Sequence, residues 1–260
     1  MSRYMVAAAC AIPLALFAGA HSAGAAPASG SHENTVRCTG TISPTFNPGM
    51  ITGTVDNVIV PENNFCVLEG ATVRHDVLVE DNAGLGAENS SVGHDVIADE
   101  PWEIETGNNG PFTVGHDFVV TGSDLSNGDQ GYDICDTTVG HNLVFKHTGV
   151  QYEIEIGDVS PPANQEFCEG SPSPPTKVGH DLILEDNLTG RIDVGNNTVG
   201  HNLLVKDNTA TSANGETLFP GIDVSDNTIH NEAVCDDNTP APAPDGTEDG
   251  PNTAKDNDGC

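Results

Sequence analysis

Basic and aromatic side chains are scarce in this chain of 260 residues: eight Lys and Arg stand against 39 Asp and Glu, and aromatics make up 5%. A formal net charge of -31 repels phosphate, which excludes nucleic acid and an electrostatically held anionic membrane as partners. A core must be aliphatic. No CxxC pair occurs, so neither a zinc knuckle nor a thioredoxin-type redox site is indicated. Helical i, i+3, i+4, i+7 periodicity is missing after the N-terminus, as are phosphate-binding glycine loops and nucleophile motifs.

What is present is repetition. Asn197-Thr198-Val199-Gly200-His201-Asn202-Leu203-Leu204-Val205 has counterparts beginning at Ala71, Ser90, Phe112, Thr137 and Thr176, with a decayed copy from Asn227. Its histidine falls at 75, 94, 116, 141, 180, 201 and 230, in steps of 19, 22, 25, 39, 21 and 29 residues. Steps near 20 mark a solenoid in which each repeat is one coil laid on the last. Asp56-Asn57 stands where later coils carry His-Asp. Leu182-Ile183-Leu184 and Ile192-Asp193-Val194 have strand composition, and Asn, Asp, Gly and Thr between them are turn formers, giving two or three short strands per coil. The Gly before the repeated His, at 93, 115, 140, 179 and 200, predicts a positive φ or a close backbone approach.

The ends read differently. Arg3, an apolar run from about Tyr4 to Phe17 and the small residues that follow predict a secretory signal peptide over 1–28. That run is shorter than the ~20 residues of a bilayer span, and no later segment approaches that length, so no membrane span is expected. Residues 29–52 read as a poorly ordered lead-in and N-terminal cap, 53–235 as the solenoid and 236–260 as an acidic, Pro-rich tail. Setting aside Cys10 leaves an even six cysteines in a chain bound for an oxidising compartment, hence disulfides. Six cysteines permit many pairings. Because distant coils cannot touch, stacking favours Cys38–Cys66, Cys135–Cys168 and Cys235–Cys260.

The VGHDL and VGHNL rungs, aliphatic strands and Asn-rich corners resemble the right-handed parallel β-helix proteins of the pectin-lyase-like kind, over about Gly53 to Val234. The signal peptide, Cys38-Thr39-Gly40, the VGHNL rungs and the final Gly259-Cys260 are similar to small secreted bacterial proteins whose rungs read V-x-G-N-L. This chain departs by placing His at that pattern's second Gly. The resemblance implies an all-β, single-stranded right-handed parallel β-helix of about eight coils and carries over no catalytic residue.

In such a fold equivalent positions stack about 4.8 Å apart and become ladders. His75, His94, His116, His141, His180 and His201, each followed by Asp or Asn, form either a metal-binding column or a corner ladder bonding the turn backbone. If Val77 and Val79 point inward, Leu78 points out, and with it Ile59, Ile97, Val119, Val144, Ile183 and Leu204. Such a stripe marks an interaction surface or belongs to a broader core. Lys146, Glu185 and Lys206 predict a third column of exposed ion pairs.

These readings lead to a secreted, extracellular, non-enzymatic solenoid serving as a structural, adhesive or interaction module. Its partner would be a second copy, a cell-envelope component or a polysaccharide. The alternative is a polysaccharide lyase or glycoside hydrolase, for which Trp102, Phe112, Tyr132 and Tyr152 are the candidate sugar-stacking aromatics. No cofactor is expected, with calcium as the alternative, bound at acidic loops such as Asp124-Leu125-Ser126-Asn127-Gly128-Asp129.

Overall fold

A computed structural model describes residues 34–42, 46–122, 131–157, 168, 174–211, 221–242 and 251–260. The expected signal peptide over 1–28 and the acidic loop over 124–129 lie outside these residues.

Among the described residues all regular elements are strands, and all strand pairs are parallel. The strand after each His-Asp or its counterpart joins one ten-stranded sheet: Asn57–Val60, Val77–Val79, Val96–Asp99, Phe118–Thr121, Leu143–Lys146, Leu182–Glu185, Leu203–Lys206 and Glu232–Asp236 lie side by side in that order. The second sheet has 14 strands in two halves, joined by the nine-residue strand Phe65–Val73. One half runs through Gly84–Glu88, Glu103–Thr106, Gly131–Ile134, Glu153–Gly157, Arg191–Gly195 and Gly221–Ser225. The other holds the strands that precede the Gly-His corner, from Ser90–Val92 to Thr228–Ile229. Successive repeats thus add one strand to each of three parallel columns, an arrangement consistent with a β-solenoid.

Period-two alternation explains the packing. Val77 and Val79 are buried and Leu78 is 39% exposed, as expected. Cys66, Leu85, Ile104, Tyr132, Ile154, Ile192 and Ile222 follow one another in register on the inner face of the second sheet. Burying each such side chain contributes about 1.5–3 kcal/mol. Polar corners complete the core, since a buried amide or carbonyl without a partner is costly. In one corner Asn197, Asn227 and Asn252 each donate Nδ2 to a strand carbonyl, of Ile156, Val194 and Val224, while the Oδ1 of Asn227 and of Asn252 accepts the backbone N–H of the preceding ladder Asn. Asn187, Asn208 and Asn238 repeat the device at another.

The Gly column is a close-approach column. A Cβ at Gly115 would collide with the carbonyl of Gly93, and Gly140, Gly179 and Gly200 meet the carbonyl of the preceding Gly in the same way. Their φ angles are not in the left-handed region; that role falls to corner residues such as Asn82, Glu100, His147, Asp186 and Asp207.

All three expected disulfides form, Cys38–Cys66, Cys135–Cys168 and Cys235–Cys260. Both proposed ends, however, are drawn too tightly by composition. Within the lead-in, Thr35–Arg37 pairs with Asn57–Val60, and Gly49–Val55 pairs with Phe65–Val73, so stacking begins before Gly53. Within the tail, Asp256–Asp258 adds a strand beyond Glu232–Asp236, and Asn252 extends the Asn ladder. A polar sequence packs there because a preformed sheet edge and ladder supply partners for its backbone.

Candidate functional site

Three outward columns merit comparison. In the first, the rings of His94, His116, His141, His180 and His201 stack with centroids 5.1, 4.8, 5.0 and 4.4 Å apart. Nδ1 of His94, His116, His141 and His201 lies 3.0, 2.9, 2.8 and 2.8 Å from Oδ1 of Asp76, Asp95, Asp117 and Asp181, the residue after the preceding histidine. At His180 the partner is Oδ1 of Asn142, at 3.3 Å. The same oxygen accepts the backbone N–H of the next coil: Asp95, Asp117, Asn142, Asp181 and Asn202 donate to it in turn. His75 lies before this series: its N–H donates to the backbone carbonyl of Asp56, and the N–H of Asp76 after it donates to Oδ1 of Asn57. His-Asp-His ligand atoms do cluster within 4.8 Å, but the Nδ1 atoms facing the carboxylates are already hydrogen-bonded there. The Asp95 hydrogen bond raises the imidazole pKa of His116. At Asp117 and Asp181 burial acts upward but is outweighed by bonds from the backbone and from His141 or His201, and both carboxyls titrate below their ordinary range. The geometry is that of a corner ladder locking one coil to the next.

The second column is the aliphatic stripe. Register places Ile59, Leu78, Ile97, Val119, Val144, Ile183, Leu204 and Val234 in one line. Leu78 and Ile97 are 39% and 42% exposed and the rest are half-buried. The line ends in Arg37, beside Ile59, and in Asp258, beside Val234. Lys146, Glu185 and Lys206 align beside the stripe, and Lys146 Nζ meets Glu185 Oε2 at 2.6 Å.

The third column escaped sequence reasoning. On the outer face of the second sheet Glu105, Asp133, Glu155, Asp193 and Asp223 follow one another in register, and Glu153 stands beside Arg191 in the neighbouring column. Asp133, Glu153 and Glu155 are only 6%, 7% and 1% exposed. Arg191 Nη2 lies 2.6 Å from Glu153 Oε2 and 3.5 Å from Glu155 Oε2, and its Nε lies 2.7 Å from Asp193 Oδ2. Burial, reinforced by neighbouring carboxylates, pushes Asp133 up to about 9 and Glu103 and Glu155 up to about 8. Burial also raises Glu153, against the lowering pull of Arg191. The readable signal was an acid flanking an inward aliphatic or aromatic residue in Glu103-Ile104-Glu105, Tyr132-Asp133, Glu153-Ile154-Glu155, Ile192-Asp193 and Ile222-Asp223.

The aromatic platform expected of a sugar-active protein is not assembled. Phe112 and Tyr132 are core residues, packed edge-on to Phe118 and stacked on Phe145 respectively, and Tyr132 Oη donates to the Pro101 carbonyl. Period two turns Tyr132 inward beside Ile104 and Ile154, while Trp102 is half-buried and Tyr152 exposed. No helix among the described residues is long and apolar enough to cross a membrane. The chain matches no known family, no curated protein and no solved structure.

Proposed function

We propose that this protein is an exported, non-enzymatic solenoid that associates with a second copy of itself along the aliphatic stripe. Its coils, about eight between the added edge strands, wind right-handed, the hand that parallel crossover connections take in about 98% of cases. Three disulfides support an oxidising destination and with it the secretory reading of residues 1–28.

The observation that carries the reading is the stripe's composition together with its two ends. Eight consecutive outward positions are aliphatic where water would favour polar residues, and the line begins at a cation and finishes at an anion. Two stripes laid antiparallel set Arg37 of each copy against Asp258 of the other and bring Val119 opposite Val144. A parallel alignment sets Arg37 against Arg37. A two-fold interface is self-complementary in this way. The net charge of -31 per copy opposes association, so the dimer strengthens with ionic strength as the Debye length shortens, to about 8 Å at 0.15 M. A polysaccharide-processing enzyme draws less support, because the carboxylates gathered on the second sheet are buried and the sugar-stacking candidates are divided between core and surface.

The double substitution Val144→Asp with Ile183→Asp tests the reading. Light scattering should show the wild-type chain as a dimer and the variant as a monomer with an unchanged circular dichroism spectrum. A wild-type monomer at both low and high salt, or a variant that unfolds, contradicts it.

A further inference from the structure

The acidic column of the second sheet holds a cluster that the His ladder and the stripe leave unused. Asp133, Glu153 and Glu155 come from adjacent strands, Gly131–Ile134 and Glu153–Gly157, and each offers a carboxylate oxygen within 4.8 Å of the others. Oxygens bound to one calcium ion at about 2.3–2.6 Å lie within that spread of one another. All three side chains are buried, and Oδ1 of Asp133 has no hydrogen-bond partner, although Asp133 is only 6% exposed. Buried polar atoms are almost always satisfied, so an orphaned oxygen on a buried carboxylate that stands within 4.8 Å of two others calls for a partner.

Arg191 does not supply it. Its guanidinium is paired with Glu153, Glu155 and Asp193, and Asp133 Oδ1 accepts no hydrogen bond from it. Its single charge also stands against seven carboxyl groups in the two columns, those of Glu103, Glu105, Asp133, Glu153, Glu155, Asp193 and Asp223. The donors are oxygens alone, with no imidazole or thiolate in the group, which favours a hard cation over zinc or copper. Magnesium demands near-octahedral geometry and keeps several waters, whereas calcium accepts irregular carboxylate sets.

We propose that Asp133, Glu153 and Glu155 bind one calcium ion, which joins two adjacent coils on the second sheet, a different sheet from that of the stripe. The site is distinct from the dimer surface, so the two readings can fail separately. It would also add to the clamp that Cys135–Cys168 makes next to it, since the backbone N–H of Cys168 already donates to Glu155.

The test is calcium titration of the mature chain by calorimetry and thermal denaturation, in about 0.15 M NaCl to screen binding to surface acids. Wild type should bind calcium saturably and melt higher with it, and magnesium at equal concentration should give a clearly smaller shift. Asp133→Asn, which preserves shape while removing a ligand charge, should weaken that binding by about tenfold or more. Asp99→Asn, an exposed control, should leave it unchanged. Absence of saturable calcium binding by wild type, an equal response to magnesium, or an Asp133→Asn titration like that of wild type overturns the proposal. The wild-type titration decides the matter even if the variant does not fold.

Discussion

Replacing Arg191 by methionine should destabilise the fold by about 3–5 kcal/mol at pH 8 in the presence of chelator, because it leaves buried carboxylates without their counter-charge. Arg191 is the only cation paired with Glu153, Glu155 and Asp193 among the described residues, at 2.6, 3.5 and 2.7 Å. Methionine keeps the stem's packing and removes the charge. The cost depends on pH, with a definite sign. Burial already raises Glu155 to about 8 and raises Glu153, so their folded pKa values lie above those of the unfolded chain. A group of that kind supports the fold fully below its unfolded pKa and loses that support as pH rises through the folded value. Removing Arg191 takes away an influence that lowers both groups, so their folded pKa values rise further. The penalty should therefore shrink steadily between pH 8 and pH 5 as the folded state takes up protons. Urea denaturation at the two pH values measures it; an equal penalty at both contradicts the assignment.

The second large effect concerns Asn227, the middle of a polar ladder. Its Nδ2 donates to the Val194 carbonyl at 2.8 Å and to Asn252 Oδ1 at 2.9 Å, while its Oδ1 accepts both the backbone N–H and the side-chain Nδ2 of Asn197. Leucine keeps the branching at Cγ and makes none of these bonds. The Val194 carbonyl, the Asn197 backbone N–H and one Asn197 amide hydrogen are then buried without partners, and at about 1–3 kcal/mol for each unsatisfied group the loss reaches about 3–9 kcal/mol. The effect should appear in the urea midpoint with little change in the slope of unfolding. By contrast, a half-buried charged residue beside the stripe such as Lys206 should cost at most about 1 kcal/mol when changed to alanine.

The columns nearest the nine-residue phrase were the most legible. Its length fixes the phase of the strand, so one inward valine determines which neighbours point out, and the positions of Leu78, Ile97, Val119 and Val144 followed. Stacking likewise limited the cysteines to sequence neighbours, and the three bonds are those neighbours. The acidic column stayed hidden for a physical reason. Its strands follow turns and insertions of unequal length, so they have no fixed distance from the repeated histidine, and 39 acids make each local occurrence look like ordinary solvated surface. Only after Glu105, Asp133, Glu155, Asp193 and Asp223 are brought into register does an outward carboxylate on five successive strands emerge. Phe112 and Tyr132, named among the candidate sugar-stacking aromatics, are core residues because strand alternation determines which way a side chain faces. The tail was misjudged on composition, although Asn252-Thr253 repeats the Asn227-Thr228 of the ladder above it.

Self-association along the stripe is the central claim, and covalent trapping tests it most directly. The antiparallel alignment brings position 78 of one copy opposite position 204 of the other, so a chain carrying both Leu78→Cys and Leu204→Cys, treated with a short bis-maleimide, should give a linked dimer joining those two positions, while Leu78→Cys alone should not. Monomer throughout, or equal linkage by the single variant, contradicts the account.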